Sequence, residues 1–209
     1  MKKVYVVGEA KDYANFIDNI ELVDDINDAD IVVFTGGEDV DPALKDAEKH
    51  PKTFSNIQRD LYEKEMFEKI RPDQSVIGIC RGSQFLCVMN GGKLVQHCTG
   101  HAMFATHSII SKLNNTVYEI TSTHHQMQYP YNLDNSEYTI IANSASNRSM
   151  NYEGDSIDAR LIATYGEPEI VLYHKENMPR CLAIQGHPEY MRKESPIVKY
   201  LNFLINSHL

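Results

Sequence analysis

A cysteine where an apolar run meets a helical pattern is the feature that most constrains the fold of this chain. The strand-like run Val76–Ile79 ends at Cys80, and Gly78 and Gly82 lie two residues to either side of it. Because glycine tolerates strained dihedral angles and close packing, the pattern predicts a sharp strand–turn–helix junction. Such a turn places the thiol at a helix N-terminus, where the helix dipole favours the thiolate. We therefore interpret Cys80 as a candidate nucleophile.

Strand-like runs alternate with helical periodicity along the first half of the chain, and this alternation predicts a parallel sheet with helices on both faces. Closer spacing of the later runs predicts antiparallel additions in the C-terminal half. The predicted strands are Lys3–Val7, Ile31–Phe34, Ser75–Ile79, Lys93–Gln96, Thr139–Asn143, Ala159–Thr164, Ile170–His174 and Cys181–Gln185. The predicted helices are Tyr13–Asn19, Ile57–Ile70, Ser83–Met89 and Pro196–Asn206. We expect Cys98–Tyr138, which is rich in histidine, to be irregular.

Composition narrows the class of protein. A length of 209 residues suits one domain, residues 1–209, and no apolar run approaches the ~20 residues that span a bilayer. A net charge of −9 argues against nucleic-acid binding, since phosphate contacts need a positive surface. The N-terminus lacks the pattern of a signal peptide, so we expect a cytoplasmic protein with four reduced cysteines.

Three motifs follow predicted strands, at the sheet edge where ligands bind in open α/β folds. They are the glycine motif of residues 35–42, the Cys80 turn, and a His-Pro-Glu sequence after Cys181–Gln185. Proline holds His187 in an extended conformation, so Glu189 projects to the same face and can orient the imidazole. A nucleophile, a base and an orienting carboxylate together indicate covalent acyl transfer.

These motifs resemble the class I, triad-type glutamine amidotransferase family, and most of all its γ-glutamyl hydrolase branch, which includes γ-glutamyl-γ-aminobutyrate hydrolases. The resemblance is of the peptidase C26 type, and it implies a three-layer, flavodoxin-like, mostly parallel sheet. The segments that carry it are Gly36–Pro42, Arg59-Asp60, Gly78–Gln84, Gly91–His97, Ser122–Gln126 and Ile157–Ala159.

The resemblance implies a role for each group. Cys80 would attack the γ-carboxamide of glutamine or of a γ-glutamyl amine, His187 would act as general base and acid, and Glu189 would orient His187. A glutamyl thioester would form and water would release glutamate, with no metal or organic cofactor. The oxyanion hole would consist of backbone N–H groups of Arg81 and of Gly37 or Gly36. Substrate contacts are implied for Gln84, His125 and Gln126.

Two departures from the family pattern stand out. Gly186 replaces the bulky aromatic residue that often precedes the triad histidine, and we expect it to leave room beside His187. The stretch between Gly8 and Asp30 is short, so an early strand–helix unit should be trimmed.

Several alternatives stay open. A γ-glutamyl hydrolase would act alone on a small-molecule substrate, whereas an amidotransferase subunit would deliver ammonia to a separate synthetase partner. The presence of Cys80, His187 and Glu189 together argues against a non-catalytic binding role. Histidines between His97 and His125 invite a zinc site, but their spacing fits no closed zinc pattern. A homodimer is possible, and we expect no partnership with nucleic acid or membrane.

Overall fold

A computed structural model describes residues 1–154 and 156–209, with Phe104 described by its backbone alone. These residues form thirteen strands, of which the central ones are buried apolar runs. They are β1 (Lys2–Val6), β2 (Ile20–Leu22), β3 (Ile31–Phe34), β4 (Ser75–Ile79), β5 (Lys93–Val95), β6 (His97–Cys98), β7 (Ala102–Ser111), β8 (Val117–Thr123), β9 (Met127–Tyr129), β10 (Tyr138–Ser144), β11 (Tyr152–Glu153), β12 (Pro168–Tyr173) and β13 (Arg180–Ile184). The α-helices are α1 (Ile57–Glu68), α2 (Arg81–Met89), α3 (Ala159–Tyr165) and α4 (Pro196–His208).

Nine of these strands form one mixed sheet in the order β2-β1-β3-β4-β13-β12-β10-β7-β8. The strands from β2 to β13 pair in parallel, and the strands from β12 to β8 continue the sheet in antiparallel pairs. The predicted antiparallel additions are therefore confirmed.

Helices cover both faces of the sheet and make a three-layer α/β fold. One hydrophobic core joins the sheet to α4 through Val198, Leu201 and Leu204. The opposite core joins it to α1 and α2 through residues such as Phe67 and Phe85. No helix of the described residues is long and apolar enough to cross a membrane.

Parallel pairing brings the three predicted motifs to one sheet edge. Ile184, the last residue of β13, pairs with Ile79 at the end of β4, and Phe34 of β3 pairs with Gly78. The chain segments that leave these strands therefore start side by side.

Three of the secondary-structure predictions are wrong, and two of them lie beyond residue 97. Residues 159–164, predicted as a strand, belong to helix α3, which Asp158 caps by accepting a hydrogen bond from the Arg160 N–H at 3.0 Å. The segment predicted to be irregular carries the long β7–β8 hairpin and β9. In β8 buried and more exposed residues alternate, with Tyr118, Ile120 and Ser122 facing inward, but the polar residues among them hide this period-two pattern.

Near the N-terminus the predicted helix Tyr13–Asn19 shrinks to a 3-10 turn over Lys11–Ala14. The next strand, β2, has three residues and forms the edge of the sheet. The early strand–helix unit is thus as reduced as its length predicts.

Helix α1 lies within the predicted range Ile57–Ile70, but its buried face includes charged residues. Leu61 is exposed, whereas Asp60 and Glu63 are buried beside Met66 and Phe67. Two acids on the buried face need partners, because an unpaired buried carboxylate is strongly unfavourable.

Candidate active site

Cys80 lies at the strained turn between β4 and α2. Its dihedral angles, φ 52° and ψ −106°, belong to a region that non-glycine residues rarely adopt. The Cys80 N–H donates to the carbonyl of Ile184 at 2.8 Å, which ties the turn to β13. A side chain at Gly82 would collide with the Phe34 carbonyl oxygen, so glycine is required for helix α2 to begin here.

His187 and Glu189 form a tight pair at the end of β13. His187 Nδ1 lies 2.7 Å from Glu189 Oε1, and both side chains are buried. Burial lowers the pKa of His187, but hydrogen bonds and charge interactions with Cys80 and Glu189 outweigh it and raise that pKa to about 10. The structure therefore brings the three predicted catalytic groups together, with the carboxylate on one ring nitrogen and the thiol in contact with the imidazole.

Strand β8 packs directly against this histidine. Thr121 Oγ1 accepts from the His187 N–H at 2.9 Å and donates to the His187 carbonyl at 3.0 Å. A Cβ atom at Gly186 would lie 2.5 Å from Ile120 Cγ1 and 2.7 Å from the Thr121 carbonyl oxygen. The expectation of free space beside His187 is therefore wrong, since β8 occupies the volume that an aromatic residue at 186 would need.

The predicted oxyanion groups lie at the same edge. Gly36 and Gly37 follow β3, and the Arg81 N–H is the first of helix α2. Among the described residues, the N–H groups of Gly37 and Arg81 donate to no protein acceptor, and Gly37 and Cys80 line the same cavity. Free N–H groups beside a nucleophile can receive a developing negative charge.

A buried set of ion pairs fastens these loops to helix α1. The Arg81 guanidinium is 1% exposed and pairs with Asp60 and Glu63. Arg59 donates to Glu63 Oε1 at 2.9 Å and to the Gly36 carbonyl at 2.9 Å. The nucleophile turn and the glycine loop therefore share one rigid support.

Two cavities meet at Cys80. The larger has a volume of about 600 Å³ and contains His187, and the smaller, of about 190 Å³, contains Gln84 and His125. Both are lined by Gly37 as well. A planar carbonyl group held at the thiol would therefore extend one substituent into each cavity.

The predicted substrate contacts separate into two groups. Gln84 and His125 line the smaller cavity, and Asp39 holds His125 with its Oδ2 atom 3.1 Å from His125 Nε2. Gln126 lines neither cavity: both ends of its amide pair with the backbone of Val40, at 2.9 and 3.1 Å. Its side chain braces the glycine loop, and the structure does not place it against a substrate.

Several buried histidines form a separate cluster next to the site. His101, His107 and Glu169 each place a donor atom within 4.8 Å of the others. His107 Nε2 lies 2.8 Å from Glu169 Oε1, and His101 Nε2 lies 3.1 Å from Glu167 Oε2. These contacts pair buried imidazoles with carboxylates. The expectation that no metal is needed stays a prediction.

Sequence reasoning missed residues that only the tertiary structure brings to the site. Tyr13 lines the larger cavity from the shortened N-terminal unit, and Tyr190 stacks on the His187 ring at 4.9 Å between centroids. Thr121 and Glu63 support the site from β8 and α1. The only local signal was Tyr190, which directly follows Glu189.

Comparison with known proteins identifies the family of this chain. A sequence model of the Peptidase C26 family matches residues 16–189. Protein NtpR of Enterococcus hirae is 31% identical over 123 residues, which is 48% of this chain and 52% of NtpR. The glutamine amidotransferase-like protein YvdE of Lactococcus lactis is 28% identical over 163 residues, 77% of this chain and 66% of YvdE. The chain thus spans about half to two thirds of these relatives.

Two solved structures share the fold. A candidate GMP synthase protein from Thermoplasma acidophilum superposes with a TM-score of 0.59 at 18% identity, covering 98% of this chain and 92% of that one. A glutamine amidotransferase from Thermotoga maritima gives a TM-score of 0.53 at 12% identity, covering 98% and 84%.

Proposed function

Because this chain belongs to the Peptidase C26 family, whose class I glutamine amidotransferase-like fold it has, we propose that it hydrolyses the γ-amide of a γ-glutamyl amine or of glutamine. Cys80 is the nucleophile, His187 the general base and acid, and Glu189 the group that orients His187. The observation that carries the proposal is the buried His187–Glu189 pair at 2.7 Å, in contact with a thiol at a strained turn.

The reaction proceeds through two acyl transfers. The Cys80 sulfur attacks the γ-carbonyl carbon, and the carbon–nitrogen bond breaks as the His187 imidazolium donates its proton to the leaving amine. The product is a glutamyl thioester on Cys80. His187, now neutral, removes a proton from water, which attacks the thioester and releases glutamate and the free thiol.

Backbone donors stabilise the tetrahedral intermediates. The N–H groups of Gly37 and Arg81 receive the oxyanion, with Gly36 holding the loop through its carbonyl contact with Arg59. Removal of one such donor in other enzymes costs about 3–4 kcal/mol of transition-state stabilisation. The ion pairs of Arg81 and Arg59 support the proposal, because they limit movement of both donors.

Glutamate release by the purified chain tests the function. We expect Cys80→Ala to lower kcat by several orders of magnitude, on the order of 10⁶-fold for a full triad nucleophile. Cys87→Ala is the matched control: Cys87 is buried in the helix that follows, and burial raises the pKa of its thiol to about 12.

Full activity of Cys80→Ala would remove the nucleophile assignment. Release that begins only when a synthetase is added would favour the amidotransferase alternative over the hydrolase branch.

A further inference from the structure

The two cavities that meet at Cys80 differ in chemistry. We propose that the larger one binds a leaving amine whose substituent is a ring without a charged group. This inference rests on the proposed γ-glutamyl amide hydrolysis and narrows its substrate class. It disfavours ammonia, amines that carry a carboxylate, and polyamines.

The position of the general acid decides which cavity holds which half of the substrate. The acid must reach the leaving nitrogen, within about 2.6–3.2 Å or through one water. His187 lines the larger cavity and not the smaller one. The leaving amine therefore extends into the larger cavity, and the glutamyl group into the smaller.

The smaller cavity carries the charges that a glutamyl group needs. Glu38 and Asp39 line it and can accept from an α-ammonium group in addition to their present partners, Arg59 and His125. His125 lines it as a cationic partner for an α-carboxylate. The hydrogen bond that His125 donates to Asp39 raises the pKa of His125 and so favours its cationic form. Both ends of a zwitterionic glutamyl group thus find an opposite charge.

Apart from the reacting pair Cys80 and His187, the larger cavity offers no charged partner among its described lining residues. Apart from Gly37, Cys80 and His187, its described lining consists of hydroxyl, aromatic and methyl groups from Tyr13, Ala105, Thr106, Thr121, Thr123 and Tyr190. A carboxylate there would meet no lysine or arginine among the described lining residues, and a polyamine would meet no carboxylate. Because desolvating an unpaired charge is unfavourable, a leaving amine whose substituent carries no charged group is preferred.

Size and shape favour a ring. A cavity of about 600 Å³ lies within the range of small-molecule sites and far exceeds the ~30 Å³ that one water-sized molecule such as ammonia fills. Tyr190 stacks on His187 with an interplanar angle of 11° and is 66% exposed, so its outer face and edge are open to a ligand. Tyr13, from the 3-10 turn Lys11–Ala14, also lines this cavity. Burial and, second, the nearby charge of Glu189 raise the pKa of Tyr13, so its hydroxyl stays protonated.

Four γ-glutamyl amides test the inference: the benzylamide, the 4-carboxybenzylamide, glutamine, and the putrescine amide. We expect kcat/KM for the benzylamide to exceed each of the others by about tenfold or more, as 1–3 kcal/mol of differential binding implies. The benzyl and carboxybenzyl compounds differ by one carboxylate and form the matched pair. Equal or higher kcat/KM for the carboxybenzylamide would overturn the proposal.

A charge-introducing variant tests the location. Thr106 is exposed and lines the larger cavity, so Thr106→Arg should fold normally and raise the carboxybenzyl-to-benzyl ratio of kcat/KM by tenfold or more. An unchanged ratio would place the leaving amine elsewhere.

Measuring ligand affinity in an inactive variant tests the subsite independently of hydrolysis. Titration calorimetry of Cys80→Ala with the same matched pair should show tighter binding of the benzylamide, by about tenfold. If no amide is hydrolysed by the unmodified chain and this difference in affinity persists, the proposed function fails and the subsite stands. If glutamate is released from all four amides at similar kcat/KM and the affinities are equal, the subsite fails and the function stands.

Discussion

At the scale of the residue, the protonation of His187, the proposed general acid and base, makes the stability of the fold depend on pH. Its pKa of about 10 lies above the ordinary value of 6.5, because contacts with Cys80 and Glu189 outweigh burial. A raised pKa means that the folded chain binds this proton more tightly than the unfolded chain does. The resulting stabilisation is fully present below about pH 6.5 and disappears as the pH rises through 10.

Substitutions at either partner should lower that pKa. We expect Glu189→Gln and Cys80→Ala each to move the His187 titration toward lower pH, as followed by NMR of the imidazole. Glu189→Gln should also lower kcat by up to about 10⁴-fold, less than Cys80→Ala, since the thiol remains. Glu194→Gln, in the exposed segment that follows, is the control. An unshifted His187 titration in Cys80→Ala would mean that thiol and imidazole do not interact.

At the scale of the element, helix α1 is joined to helix α2 by charge as well as by packing. Arg81 pairs with Asp60 and Glu63 in a region where all three side chains are at most 3% exposed. Such pairs contribute little net stability compared with apolar packing, but removing one partner leaves a buried charge uncompensated. We infer that the network holds the nucleophile turn and the glycine loop in register.

Arg81→Met tests the role of this network. It keeps roughly the volume of the side chain but leaves the buried Asp60 carboxylate without its ion-pair partner and Glu63 with Arg59 alone. We expect it to lower the free energy of unfolding by about 3–5 kcal/mol. Arg160→Met, which removes an ion pair from the surface at Asp158, should leave the unfolding midpoint unchanged. Chemical denaturation measures both, and equal midpoints for Arg81→Met and the unsubstituted chain would contradict the argument.

At the scale of the whole molecule, the two ends of the chain meet across the sheet. Lys2 donates to the Ile205 carbonyl at 3.1 Å, and Asn202 of α4 donates to the Phe16 carbonyl at 2.8 Å. Tyr200, also on α4, lies 2.7 Å from Ser111 of β7 through their hydroxyl oxygens. Helix α4 thus bridges the parallel and antiparallel parts of the sheet.

From these contacts we propose that residues 1–209 fold as one domain. Scanning calorimetry should give a single transition in which the calorimetric and van't Hoff enthalpies agree. Two separate transitions, one for the parallel part and one for β7–β8, would contradict it. Asn202→Ala, which removes the bridge to Phe16, should lower the midpoint without splitting the transition.

Local sequence was sufficient wherever one short segment carries its own structural signal. The strands β3, β4 and β13 are buried along most or all of their length and read as continuous apolar runs, as parallel central strands do. The glycines around Cys80 and the His187–Glu189 spacing are signals carried by neighbouring residues. Fold class and the predicted catalytic groups could therefore be inferred without a structure.

Tertiary structure decided what depends on residues far apart in the chain. The β7–β8 hairpin is stabilised by strand pairing and by packing on β10 and α4. Its mixture of polar and apolar residues gives no local pattern from which these contacts could be predicted. Gly186 is glycine because β8, some 65 residues earlier, fills the space beside it. Tyr13 and Thr121 reach the site only once the sheet has formed. The lining of the larger cavity, uncharged apart from Cys80 and His187, exists only in that assembly. Hydrophobic periodicity and turn chemistry act over a few residues, whereas cavities and buried ion pairs arise from long-range packing.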